Sequence, residues 1–191
     1  MLSLMLIIPW AAMWLLGGLW VVRGCFRLTP EEETVSGAVV GLVLEIWLAN
    51  LLARVLPTEA AFWAAPACVL LAGLGLMLAQ KTGWRNLLRV RIVWQQWLGF
   101  AVLFYILFVS GQGLGLFDDY QNLPITSQLA AGDIPPHFSL DPTVSFGYHY
   151  FLLLFSGQVM RLFDIFPWTA LDMTRAIVIA LSAVLVGVWA R

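Results

Sequence analysis

Long apolar runs alternate with short polar breaks along this chain, and six of the runs are long enough to cross a bilayer. They are Leu4–Val22, Val35–Leu56, Ala60–Ala79, Ile92–Val109, Val144–Phe163 and Met173–Ala190. A helix needs about 20 mostly apolar residues to cross roughly 30 Å of hydrocarbon. The runs are continuous rather than alternating, and an open sheet cannot satisfy its edges in lipid, so each run predicts a helix. The expected fold class is therefore all-α: a polytopic transmembrane bundle of about six spans. The first run lacks a basic leader and a small-residue cleavage site, which makes it a retained span rather than a signal peptide.

Composition agrees with the pattern. The chain is 61% hydrophobic and 11% charged, whereas a soluble domain carries about a quarter charged residues. A net charge of −1 leaves no basic footprint for nucleic acid. Ten Trp and twelve Phe suit rings that anchor helices at the membrane interface. Cys25 and Cys68 fall toward opposite faces in this layout, too far apart to bridge, and no His or Cys spacing marks a metal site.

Basic residues orient the spans. Arg23 and Arg27 follow the first; Lys81, Arg85, Arg89 and Arg91 lie between the third and fourth; Arg161 and Arg175 flank the break after the fifth. In an alternating six-span layout these eight share one side, leaving Arg54 and Arg191 on the other. The positive-inside rule makes the first side cytoplasmic and puts the N-terminus outside, as in a multi-pass cell-membrane protein. The basic loop divides the chain into a three-span module at 1–91 and a second at 92–191.

That orientation exposes the one long polar segment, 110–143, on the outer face. It holds Asp118, Asp119, Asp133 and Asp141 and no Lys or Arg. Gly111, Gly113 and Gly115 are expected to end or bend the fourth span. Asn122 or a neighbour is expected to cap a short helix, with Pro124 in its first turn and Gly132 past its end. Ile125 and Leu129 share a face, so this helix is expected to lie flat on the membrane surface. Asp133 to His137 reads as a stiff extended segment, and Tyr148-His149-Tyr150 opens the fifth span. Two neighbouring carboxylates repel each other, and partial burial of one tunes it toward general-base chemistry. A solvated acidic loop is the alternative reading of the same residues.

The stretch Phe117-Asp118-Asp119-Tyr120, Asn122, Leu129-Ala130-Ala131-Gly132-Asp133-Ile134-Pro135-Pro136 and Tyr148-His149-Tyr150 resembles the first outer-loop region of GT-C-type multispanning membrane glycosyltransferases. The resemblance covers about a third of the chain. It implies transfer of a sugar from a polyprenol-phosphate carrier to an acceptor on the outer face. Asp118 and Asp119 would then occupy the catalytic acidic motif, one of them as the base. Asp133, His137, His149 and Arg54 would be substrate-binding candidates, and a divalent metal at the acidic loop is a possible cofactor. Members of that superfamily usually carry more spans and a further outer domain, so the chain would correspond to the N-terminal portion of such an enzyme or to a reduced relative.

Glu45 lies near the middle of the second span, where a charged carboxylate is costly and an acid is a functional candidate by default. It supports the competing reading, a non-enzymatic polytopic membrane protein: a transporter fragment or a subunit binding lipid or another span. Gly37 and Gly41 form a small-xxx-small pair for close helix packing. Glu31-Glu32-Glu33 after Pro30 marks a helix start.

Overall fold

The computed structural model describes residues 5–80, 90, 92–114, 119–138, 140–146 and 150–190. Among them are seven helices: α1 (Ile7–Cys25), α2 (Pro30–Leu52), α3 (Thr58–Ala79), α4 (Trp94–Leu114), α5 (Asp119–Ala131), α6 (Phe151–Phe163) and α7 (Pro167–Trp189). A two-stranded antiparallel hairpin, β1 (His137–Phe138) and β2 (Asp141–Ser145), stands between α5 and α6. The bundle is thus helical with one small hairpin. Five helices, α1 to α4 and α7, are long and apolar enough to cross a membrane.

Local signals set several boundaries. Thr29 and Glu32 form a capping box and Pro30 occupies the first turn, so α2 begins five residues before the apolar run does. The Glu32 carboxylate accepts the Thr29 backbone N–H at 2.7 Å. At the end of α5, Gly132 adopts φ +105°. Its N–H donates to the Leu129 carbonyl, and that of Asp133 reaches back to Gln128. This closes the helix as a Schellman motif.

Apolar side chains gain nothing by leaving lipid for each other, so helices in a membrane associate through close packing. The α1–α2 contact shows how. A Cβ on Gly18 would strike the Gly37 carbonyl, and one on Gly41 would strike that of Trp14. On the other side of α1, a Cβ on Gly17 would lie 2.6 Å from the Leu70 backbone of α3. The predicted Gly37 and Gly41 pair is therefore part of a larger glycine seam that brings three backbones together.

The two ends of the bundle are fixed by polar contacts. At one, called here the Arg23 end, Arg23 of α1 pairs with Glu33 of α2 at 2.9 Å, and Gln80 after α3 donates to Gly24. Gln96 of α4 donates to the Glu31 carbonyl of α2 at this end, and Trp189 of α7 donates to Ser36 of α2. At the other, the Asn50 end, Tyr150 donates to Asn50 at 2.6 Å and Gln112 of α4 donates to Asp172 of α7 at 2.6 Å. Helix α7 thus starts where α4 finishes and runs back beside it.

This arrangement departs from the six-run layout in the expected fifth span. Residues 144–163 do not form one long helix: Val144 and Ser145 belong to β2, and α6 begins only at Phe151. With 13 residues α6 is about 20 Å long, short of the hydrocarbon thickness. It starts beside Asn50, sets Phe155 against Trp10 and Trp14, and ends with Phe163 against Trp10 and Trp63. Trp10 lies in the first turn of α1 and Trp63 in the second turn of α3, both toward the Asn50 end. So α6 enters and leaves the bundle at the same end, with most of its side chains buried.

Candidate functional site

Every element from α5 to the start of α7 gathers at the Asn50 end. Helix α5 packs along α6 and touches α7. It does not lie flat on a surface: Ile125 and Leu129 are buried in the core, and Gly157 of α6 lets the α5 backbone approach so closely that a Cβ there would sit 3.1 Å from Ala130 N. Pro124 falls inside α5 rather than in its first turn. Gly111 neither ends nor interrupts α4, which continues to Leu114. A Cβ there would meet the Asp172 carboxyl at 3.1 Å, so the glycine lets that carboxyl approach the helix.

Of the expected site residues, Asp118 and His149 lie outside the described residues. Asp119 is the first residue of α5, and its side chain lies outside them too. Asp133 and His137 are brought together. One Asp133 oxygen meets His137 Nδ1 at 2.5 Å, while the other accepts the His137 backbone N–H at 2.8 Å. A carboxylate can only accept, so Nδ1 carries the hydrogen of this bond and the ring is held with Nε2 as its other polar atom. Arg54 is exposed just past the end of α2 and joins no such contact among those described. In the hairpin, the Thr143 hydroxyl and then its backbone N–H hold the Asp141 carboxyl below the usual carboxylate range.

The placement of Arg175 corrects the sequence reading. Arg161 and Arg175 were expected on the side of Arg23, but α6 and the first turns of α7 belong to the Asn50 end. Arg175 Nη1 stands 3.5 Å from an Asp172 oxygen, and both side chains are at most 8% exposed. The other Asp172 oxygen accepts from Gln112. Gln112 lies six residues before Asp118, so this cluster sits at the root of the acidic loop. The apolar run begins only at Met173 and leaves Asp172 in the polar break before it, which hides the pair in the sequence. The i, i+3 spacing of Asp172 and Arg175 was the available signal.

Glu45 is fully buried in α2, as is Gln158, whose side chain approaches it from α6. Neither Glu45 oxygen and neither polar atom of the Gln158 amide has a hydrogen-bond partner within 3.5 Å. Asn50, by contrast, is satisfied by Tyr150. The residues expected to hold a metal, Asp118 and the side chain of Asp119, lie outside the described residues. Both Asp133 oxygens are engaged by His137, and no three His, Cys, Asp or Glu side chains converge among the described residues.

No protein-family model matches the chain, nor does any curated protein or solved structure.

Proposed function

We propose that the protein is a membrane glycosyltransferase, or the N-terminal part of one, that moves a sugar from a polyprenol-phosphate carrier to an acceptor at the Asn50 end. The reading rests on the resemblance of the acidic loop to the GT-C type. The observation that carries it further is Arg175. A phosphate leaving group calls for a cation, and Arg175 supplies one at the root of a loop that has none of its own.

In this reading five helices cross the membrane and α6 is re-entrant. Backbone that turns within the membrane is tolerated where protein encloses it, as it encloses α6. Arg23 and Arg27 stand at the Arg23 end, and the helix ends joined by the segment of Lys81, Arg85, Arg89 and Arg91 are there too. Arg54, Arg161 and Arg175 belong to the other. The bias still makes the Arg23 end cytoplasmic and the Asn50 end external. The carboxylate of Asp118 or Asp119 takes the acceptor hydroxyl proton as the oxygen bonds to the anomeric carbon. The bond from that carbon to the phosphate oxygen breaks, and its electron pair leaves with the phosphate, whose charge Arg175 offsets. The Asp133–His137 pair, Arg54 and His149 are assigned to holding the acceptor or the sugar.

The test is sugar transfer by the full-length protein in lipid nanodiscs, supplied with a panel of polyprenyl-phosphate hexoses. Asp118→Asn and Asp119→Asn are expected to differ, the base variant losing about 10²-fold or more. Arg175→Gln is expected to lose at least a comparable amount. Normal transfer by both aspartate variants would overturn the assignment.

Glu45 favours a second reading, a non-enzymatic transporter or lipid-binding subunit, since a fully enclosed acid with only the Gln158 amide beside it is a costly feature to carry. Loss of substrate uptake in Glu45→Gln with sugar transfer intact would select it.

A further inference from the structure

Of the five long helices α4 is the least enclosed: 6% of its span is buried, against 33% to 56% for the others. It packs along α7, where Gln112 meets Asp172, and turns Trp97 and Phe100 toward the core. Leu98, Val102, Tyr105 and Val109 stand away from that face, and each is about half exposed or more. Their spacing of four, three and four residues is that of a seam between two helices wound about each other.

Lipid alone would cover an apolar face, but Tyr105 carries a hydroxyl. It lies eleven residues after Trp94 and nine before Leu114, so about 15 Å of helix separates it from either end. It is 66% exposed, and no hydrogen bond engages its hydroxyl among the described residues. A tyrosine facing lipid belongs at the membrane–water boundary, with its ring in lipid and its hydroxyl in water. At mid-span neither water nor a headgroup is in reach, and a hydroxyl without a partner in hydrocarbon is costly. Whatever covers this face has to bring a hydrogen-bonding group at the depth of Tyr105.

We propose that a second copy of the chain covers it, the two α4 helices running parallel about a two-fold axis normal to the membrane. Copies inserted in the same orientation bring Tyr105 to the same depth in both. A phenol hydroxyl both donates and accepts, so one Tyr105 donates to its counterpart and neither is left without a partner. Across a two-fold axis a seam residue meets itself, so Leu98, Val102 and Val109 pack against their own counterparts. The pairing requires α4 to cross the membrane and does not depend on sugar transfer.

Two separately labelled preparations of the full chain, mixed in liposomes, test this by energy transfer as added lipid dilutes the protein. A dimer is expected, and Tyr105→Phe, which removes only the hydroxyl, is expected to weaken it about three- to tenfold. Val102→Cys, in a chain with Cys25 and Cys68 changed to serine, is expected to form a disulfide with its own copy when native membranes are oxidised. Leu71→Cys, on an exposed face of α3, is expected to stay uncrosslinked. All three positions are exposed, so the changes leave the packing of the bundle intact. A monomer at every dilution, or dimerisation of Tyr105→Phe as tight as that of the unaltered chain, overturns the proposal. So does cross-linking of Val102→Cys to a different protein, or of Leu71→Cys as readily as Val102→Cys.

Discussion

The side-chain amide of Gln112 donates to the Asp172 carboxylate at 2.6 Å, joining the last turn of α4 to the second turn of α7. Trp189, at the far end of α7, donates to Ser36 near the start of α2. Together these two contacts fix the direction of α7. They also carry Arg175 to the end of the bundle where the acidic loop begins.

Arg175 and Asp172 form a buried pair, and removing one partner of such a pair leaves an uncompensated charge. Arg175→Leu is expected to destabilise the protein by about 3–5 kcal/mol, whereas the double change Asp172→Leu with Arg175→Leu recovers most of that loss. Thermal unfolding in detergent measures both. If the single and double variants are equally destabilised, the two charges do not depend on each other.

Glu45 and Gln158 carry four buried polar atoms without hydrogen bonds. An unmade bond in an apolar interior costs about 1–3 kcal/mol. Glu45→Met, similar in length and free of that cost, is expected to stabilise the fold by an amount in this range. A loss of stability would show that the carboxyl is held by a contact that this arrangement lacks.

The glycine seam predicts opposite results at two glycines. Gly41→Leu pushes α1 from α2 against the Trp14 carbonyl and is expected to cost about 3 kcal/mol or more. Gly75→Ala meets nothing within 4 Å and is expected to gain about 0.5–1 kcal/mol through helix propensity. Unfolding midpoints of the two variants check the contrast. A tolerated Gly41→Leu would show that the helices do not touch there.

Much of the fold was legible in the sequence because lipid imposes a simple rule of apolar length. The runs behind α1, α3 and α4 were placed from hydropathy. Pro30 and the three glutamates marked the start of α2, and Gly132 the end of α5. What misled was α6. A protein interior is as apolar as a lipid tail, so a buried re-entrant helix reads as a span, and the neighbouring strand residue Val144 lengthened the run. Ser156 and Gln158, fully buried polar residues in α6, were the signs of an enclosed helix. That one difference reverses α7 and moves Arg175 away from the end of the bundle where the acidic loop begins. The Asp133–His137 contact could not be read from spacing, because it depends on the turn that follows α5.

From α5 to the start of α7 the chain stays at one end of the bundle. Labelling of intact cells with a membrane-impermeant maleimide tests it most directly. Leu140 in the hairpin is 97% exposed and Phe166 before α7 is 68% exposed. Each is replaced singly by cysteine in a chain with Cys25 and Cys68 changed to serine, and a chain retaining exposed Cys25 marks the Arg23 end. Leu140→Cys and Phe166→Cys are expected to be labelled from outside, with Cys25 labelled only after permeabilisation. Labelling of Phe166→Cys only after permeabilisation, together with Cys25, would contradict it.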